Sequence, residues 1–147
     1  MSFRLTDLSN DQMDAYLKSY PNYGGSHSCR RLPKIENKVY VVNMDINPKG
    51  EGTHWTVVSN LDSNKVIYFD PFGLPPNTYT DKWARSSNKP LFYSNADYQN
   101  LDSHACGYYC TEIAKELLQG KSMENAIKVF TNNTIKNERT LEHIFIL

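Results

Sequence analysis

The stretch "QNLDSHACGYYC", Gln99 to Cys110, sets a cysteine directly before a glycine at the start of a helical pattern. With Asp102 or Ser103 as N-cap, Cys106 falls in the first turn. There the positive end of the helix and its unpaired N–H groups favour a thiolate, the form of cysteine that attacks carbonyl carbon. Gly107 lets a substrate or another backbone approach closely. The plain alternative is a small buried residue, since free cysteine packs as one. That alternative describes Cys110, one turn further along, while Cys29 stands in a loop with no visible partner.

A nucleophilic thiol needs a base, and a hairpin supplies a candidate. The runs "HWTVVS" (His54 to Ser59) and "KVIYFD" (Lys65 to Asp70) read as strands joined by "NLDSN". A hairpin centred on Asp62 sets His54 directly opposite Asp70, with Cβ atoms about 4.5–5.5 Å apart. A carboxylate there accepts the imidazole proton, fixes its tautomer and stabilises its charged form. The pairing depends on register, because a one-residue slip sends the two side chains to opposite faces. On the hairpin alone, an edge histidine beside a strand-ending aspartate is an equally good reading.

Attack on a carbonyl also builds negative charge on oxygen, which fixed donors must meet. Gln99 lies just ahead of the helix and carries a neutral amide that donates without competing with an ion pair. It would act beside the Cys106 N–H. Taken by itself, a surface-loop glutamine needs no such role.

The elements that must position these residues follow from pattern and punctuation. Ser9 and Gln12 form a capping box for a helix running to about Ser19. "PNYGGSHSCRRLPK", Pro21 to Lys34, is rich in Gly, Pro and Ser and reads as loop. "KVYVVNMDI", Lys38 to Ile46, is a strand by its β-branched and aromatic content, and "NPKGEG" is a turn. "PFGLPPN" ends the second hairpin strand, a short helix and loop follow over Thr80 to Pro90, and "LFYS" makes a fourth strand. The longest helix spans Ala105 to about Gln119, with Gly120 as its C-cap. Ser122 caps another through roughly Phe130, and the closing "TLEHIFIL" packs on the core in a conformation that the pattern leaves open. Helix, strands, then helices predicts an α+β fold.

Length and charge bound the functional class. The chain suits one domain over residues 1–147. Sixteen basic residues balance sixteen acidic ones, which argues against broad nucleic-acid binding. Arg30, Arg31 and Lys34 form a local basic cluster, read as a solvated loop. The N-terminal residues lack the apolar run of a signal peptide, and no segment is apolar enough to span a bilayer. Three cysteines at irregular spacing predict free thiols in a reducing, intracellular setting, with no zinc pattern. "NNT" at Asn132 is a chance glycosylation pattern in such a protein.

"GTHW", "YFDPFG" and "QNLDSHACGYYC", in that order, resemble the adenovirus-type maturation protease (adenain) family. They are more distantly similar to the SUMO- and ubiquitin-like-protein proteases of the same clan. The family pattern is matched by His54 before Trp55, Asp70 opening "DPFG", and Gln99 seven residues before Cys106, which Gly107 follows. The likeness covers roughly residues 38–120.

The resemblance implies a cysteine endopeptidase with a small mixed central sheet packed against helices and the nucleophile at the start of the central helix. Its catalytic residues would be His54, Asp70 and Cys106, with Gln99 in the oxyanion hole. Gly52 and Trp55 become candidate substrate contacts, Trp55 being at least as well explained by core packing. Cleavage after small, Gly-Gly-like sites is implied, in precursors of virion proteins, with the enzyme in the infected cell and packaged in the particle. Gly24-Gly25 then becomes a candidate self-cleavage site, although a flexible loop explains it better. The family also uses an activating peptide and DNA. The neutral charge gives neither a basis, so a monomer needing no cofactor or metal is expected. Rival readings are an isopeptidase that deconjugates ubiquitin-like proteins and a non-catalytic binding module that retains the fold.

Overall fold

The computed structural model describes residues 5–45, 53–100 and 103–145. Three apolar runs build its centre: β2 (Val39–Asn43), β3 (Trp55–Ser59) and β4 (Val66–Phe69), paired antiparallel in sequence order. Every residue of β3 and β4 is buried, which is the continuous hydrophobic signature of a strand covered on both faces. Two short strands, β1 (Tyr23–Ser28) and β5 (Leu91–Tyr93), add in parallel at the edges and complete a sheet ordered β1-β2-β3-β4-β5. The fold is α+β, as the pattern predicted.

Period-two alternation divides the core between the faces. Val39, Val41, Trp55, Val57, Ile67 and Phe69 join one cluster with α1 (Asn10–Leu17) and α3 (Cys106–Leu118). Tyr40, Val42, Val58, Val66 and Tyr68 join Ala84 of α2 (Thr78–Arg85) in the other. Ile113 and Leu117 of α3 are buried in the first cluster, each worth about 1.5–3 kcal/mol. The helix closes in a Schellman motif, Gly120 N–H to Leu117 O at 3.0 Å and Lys121 N–H to Glu116 O at 3.2 Å. Two shorter helices follow, α4 (Met123–Ala126), continued by a 3-10 turn at Ile127–Val129, and α5 (Thr134–Ile144). The capping box of Ser9 and Gln12 and the cap of Ser122 form as their residue types predict.

The loop expected over Pro21 to Lys34 contains a strand instead. Gly24 lies under the Tyr40 ring, where an added Cβ would stand 2.4 Å from Tyr40 Cε1, and Gly25 takes φ +91°. The glycines that argued for a loop are what let the edge of β1 accommodate an aromatic from β2. Gly24-Gly25 is therefore tied into the sheet with both residues half-buried, which is neither the flexible loop nor an extended segment free to enter a protease cleft. Arg30 of the basic cluster pairs with Asp45 at 3.1 Å. The expected turn at Asn47–Gly52, including Gly52, lies outside the described residues.

The hairpin register also differs from expectation. Val57 faces Phe69, Val58 faces Tyr68 and Ser59 faces Ile67, so the turn centres on Ser63 rather than Asp62. Extending that register sets Thr56, not His54, opposite Asp70. The shift displaces partners by two residues and so preserves the face. His54, just before β3, becomes a diagonal neighbour of Asp70, just after β4, and remains within side-chain reach.

Candidate active site

The turn that ends β4 organises the site. Asp70 Oδ1 accepts the Phe72 N–H at 2.7 Å and bonds His54 Nε2 at 2.9 Å, with both side chains wholly buried. Gly73 N–H closes the turn on Asp70 O at 2.8 Å. Its φ of +75° and the carbonyl oxygens of Asn95 and Ala96, within 2.7 Å of any added Cβ, leave room only for glycine. Phe72 then stacks its ring on the imidazole, centroids 5.0 Å apart and planes 18° from parallel. Each letter of "DPFG" thus has a task, since the Pro71 carbonyl accepts the N–H groups of Tyr98 and Gln99 at 2.8 and 3.1 Å. One four-residue turn fixes both the histidine and the chain that carries the glutamine.

The His54 pKa is raised to about 9. Burial, the largest single influence, lowers it. The hydrogen bonds to Asp70 and Cys106 and the negative charges of both outweigh that burial. Nε2 is engaged by Asp70, and Nδ1 is buried without a hydrogen-bond partner of normal geometry among the described residues. Nδ1 is therefore the ring nitrogen left to exchange a proton with the Cys106 thiol.

Cys106 is the first residue of α3, and Ala105 is its N-cap. This corrects the expected cap: Ser103 Oγ accepts the Ala105 N–H at 3.0 Å instead, and Asp102 lies outside the described residues. Among the described residues no side chain caps this helix start, whereas α1, α2, α4 and α5 are capped by Ser9, Asn77, Ser122 and Asn133. Uncapped N–H groups at a helix start suit an anion. Gly107 meets the N-terminal segment, since a Cβ there would stand 2.8 Å from Leu8 Cβ. The close approach expected at this glycine is thus made by the chain itself.

Gln99 is buried, and its Nε2 donates to Ser103 O at 3.0 Å. That bond uses one of the two amide hydrogens and orients the group. Trp55 is buried in the core, as its packing alternative held, and also lines a groove of about 460 Å³ together with Cys106, His104, Thr53, Asn43 and Gln12. Phe72, Pro71 and Ser103 surround the candidate site in contacts that spacing alone did not single out, although all three stand inside the quoted motifs. Cys110 is fully buried and donates its S–H to Trp55 O at 3.1 Å, and burial pushes its pKa well above the ordinary thiol value. Cys29 is buried against Asp45 and Asn77. Among the described residues no cluster of three or more His, Cys, Asp and Glu side chains has metal-binding geometry. No helix there is long and apolar enough to cross a membrane.

No family model and no curated protein matches the chain by sequence. Solved structures do match. The ASFV pS273R protease superposes with a TM-score of 0.66 at 13% identity, over 94% of this chain and 66% of that one. Its selenomethionine form gives a TM-score of 0.65 at 16% identity, over 94% and 67%. This chain shares the fold of that protease. It spans about two thirds of the neighbour's length.

Proposed function

We propose that the chain is a cysteine endopeptidase with Cys106 as nucleophile, His54 as general base and acid, Asp70 as the group that orients the imidazole, and Gln99 as an oxyanion donor. The observation that carries this reading is the wholly buried His54–Asp70 pair, whose free ring nitrogen serves a thiol at an uncapped helix start. The protease fold and the adenain-type motif order support it independently.

The proposed steps assign one role to each of these groups. His54 Nδ1 takes the Cys106 proton, and Asp70 stabilises the resulting imidazolium. The thiolate adds to the scissile carbonyl, and the oxyanion is held by the Cys106 N–H and the second Gln99 amide hydrogen. Collapse breaks the C–N bond as His54 hands its proton to the departing amine. His54 then deprotonates a water that attacks the thioester, releasing the acid and regenerating the thiol. These steps use only the side chains named and water.

By resemblance, the substrates are virion-protein precursors cut after small residues, with Trp55 and the groove beside Cys106 receiving the chain. Incubating wild type and Cys106→Ala with such precursors, with acyl-Gly-Gly-aminocoumarin peptides and with ubiquitin-like conjugates tests the reading. Hydrolysis of precursors or peptides by wild type alone is the expected result. Processing of conjugates alone would replace the endopeptidase with an isopeptidase. No hydrolysis, together with no alkylation of Cys106 at neutral pH, would leave only a binding module.

A further inference from the structure

Gln99 is held by more than its own bond to Ser103. The Tyr98 carbonyl beside it accepts two buried donors, Tyr109 O–H at 2.9 Å and Asn137 Nδ2 at 3.0 Å. Asn137 also donates to Thr131 O at 2.8 Å and accepts the Thr131 N–H at 2.7 Å, which anchors it at the start of α5. Glu138, next on the same helix, bonds the Tyr109 hydroxyl and interacts electrostatically with the Ser103 side chain and the Asn100 backbone. Ser103 is the residue whose carbonyl orients the Gln99 amide.

Two adjacent buried polar side chains of α5 therefore grip the glutamine segment from both sides. Asn137 holds Tyr98 before it, and Glu138 holds Asn100 and Ser103 after it. Burying a carboxyl and an amide is costly unless their polar atoms are hydrogen-bonded. A purely structural contact between α5 and α3 could be apolar, like the neighbouring contacts of Leu141 in the same core.

Resting on the endopeptidase reading, we infer that Glu138 is a positioning residue for the oxyanion donor, acting through Ser103 and the Gln99 amide rather than on substrate. The role belongs to an element far along the chain from the motif residues. Tyr109 is the relay that joins it to the Tyr98 carbonyl. The single hydroxyl proton of Tyr109 cannot serve both Tyr98 O and the Glu138 carboxylate in full. A proton on the carboxyl completes both bonds, and burial shifts Glu138 toward that form. Glutamine at 138 supplies the same donor and acceptor pair.

The test separates oxyanion stabilisation from thiol reactivity. Hydrolysis of an acyl-Gly-Gly-aminocoumarin peptide builds an oxyanion, whereas alkylation of Cys106 by iodoacetamide builds none. Glu138→Ala should lower kcat about tenfold with KM little changed, while the alkylation rate and its pH profile stay at wild type. Glu138→Gln should restore kcat to within about threefold of wild type. Glu138→Ala/Gln99→Ala should be no slower than Gln99→Ala, because both changes remove one interaction.

Tyr109→Phe, which keeps the packing volume, provides the same epistasis measurement if Glu138→Ala does not fold. Additive losses in the double variants, or an unchanged kcat in Glu138→Ala, would overturn the positioning role while wild-type hydrolysis and its loss in Cys106→Ala left the endopeptidase standing. Absent hydrolysis and absent alkylation in wild type would instead remove the endopeptidase, and this role with it.

Discussion

Cys106 and Cys110 lie one turn apart on α3 and are both buried, so burial does not tell them apart. Their surroundings do. The Cys110 thiol points into the sheet and donates to the Trp55 carbonyl, where desolvation holds it neutral. Cys106 lines the groove and lies beside an imidazole whose Nε2 is engaged by Asp70. In the proposed mechanism, one turn of helix thus separates a structural thiol from the nucleophile. What makes the difference is a proton acceptor and an opening.

The largest break in that symmetry is removal of each sulfur in turn. Cys106→Ala should abolish peptide hydrolysis, a loss of about 10⁵-fold or more as for other nucleophile deletions, with the fold retained. Iodoacetamide under native conditions should label Cys106 and spare Cys110, which peptide mapping by mass spectrometry reads directly. Labelling of Cys110 at a comparable rate would erase the distinction.

Asp70→Asn comes next, with an expected loss of about 10³- to 10⁴-fold in kcat, since an amide cannot enforce the tautomer. It should also move a pH limb. In wild type the imidazolium persists up to about pH 9, so hydrolysis should fall as pH rises through 9, where no proton remains for the leaving amine. Without the carboxylate, burial acts with less opposition and the limb should shift to lower pH.

Stability follows with the same sign. The folded pKa of about 9 exceeds the ordinary histidine value of 6.5. The stabilisation is therefore fully present below pH 6.5 and is lost as pH rises through 9. Melting temperature against pH should show that decline in wild type and a weaker one in Asp70→Asn. Equal declines would mean that His54 does not titrate as this pair requires.

Much of this contrast was legible in the residues. The helical pattern placed both cysteines on α3, and the turn chemistry of "PFG" ended β4 where Asp70 was needed. Parity brought His54 and Asp70 to one face even though the hairpin centres on Ser63 rather than Asp62, because a two-residue displacement conserves the face. Other features depended on partners far away in the chain. The strand in "YGGSHS" pairs with β2 and leaves room for the Tyr40 ring only because residue 24 is glycine, a fit that no local propensity encodes. The helix starting at Cys106 has Ala105 as its N-cap, a residue type that gives no capping signal to read. The grip of Glu138 on the glutamine segment joins residues about forty positions apart, and neither end signals the other.

The smallest expected effect tests the structural member of the pair. Cys110→Ala removes the donor to the Trp55 carbonyl and leaves a small void between α3 and β3. Losing such a bond costs about 0.5–1.5 kcal/mol, with a further contribution from the cavity. A fall of about 1–2 kcal/mol in unfolding free energy by denaturant titration is the expected result, with kcat/KM within about threefold of wild type. Cys110→Ser keeps a donor for the carbonyl and should recover part of the stability. A folded Cys110→Ala protein that had lost hydrolysis as completely as Cys106→Ala would break the comparison. Trp55 would then be the link, because its carbonyl holds Cys110 while the residue itself lines the groove. Retained activity would instead mean that the groove wall tolerates the loss, and that the chemistry of α3 is confined to its first residue.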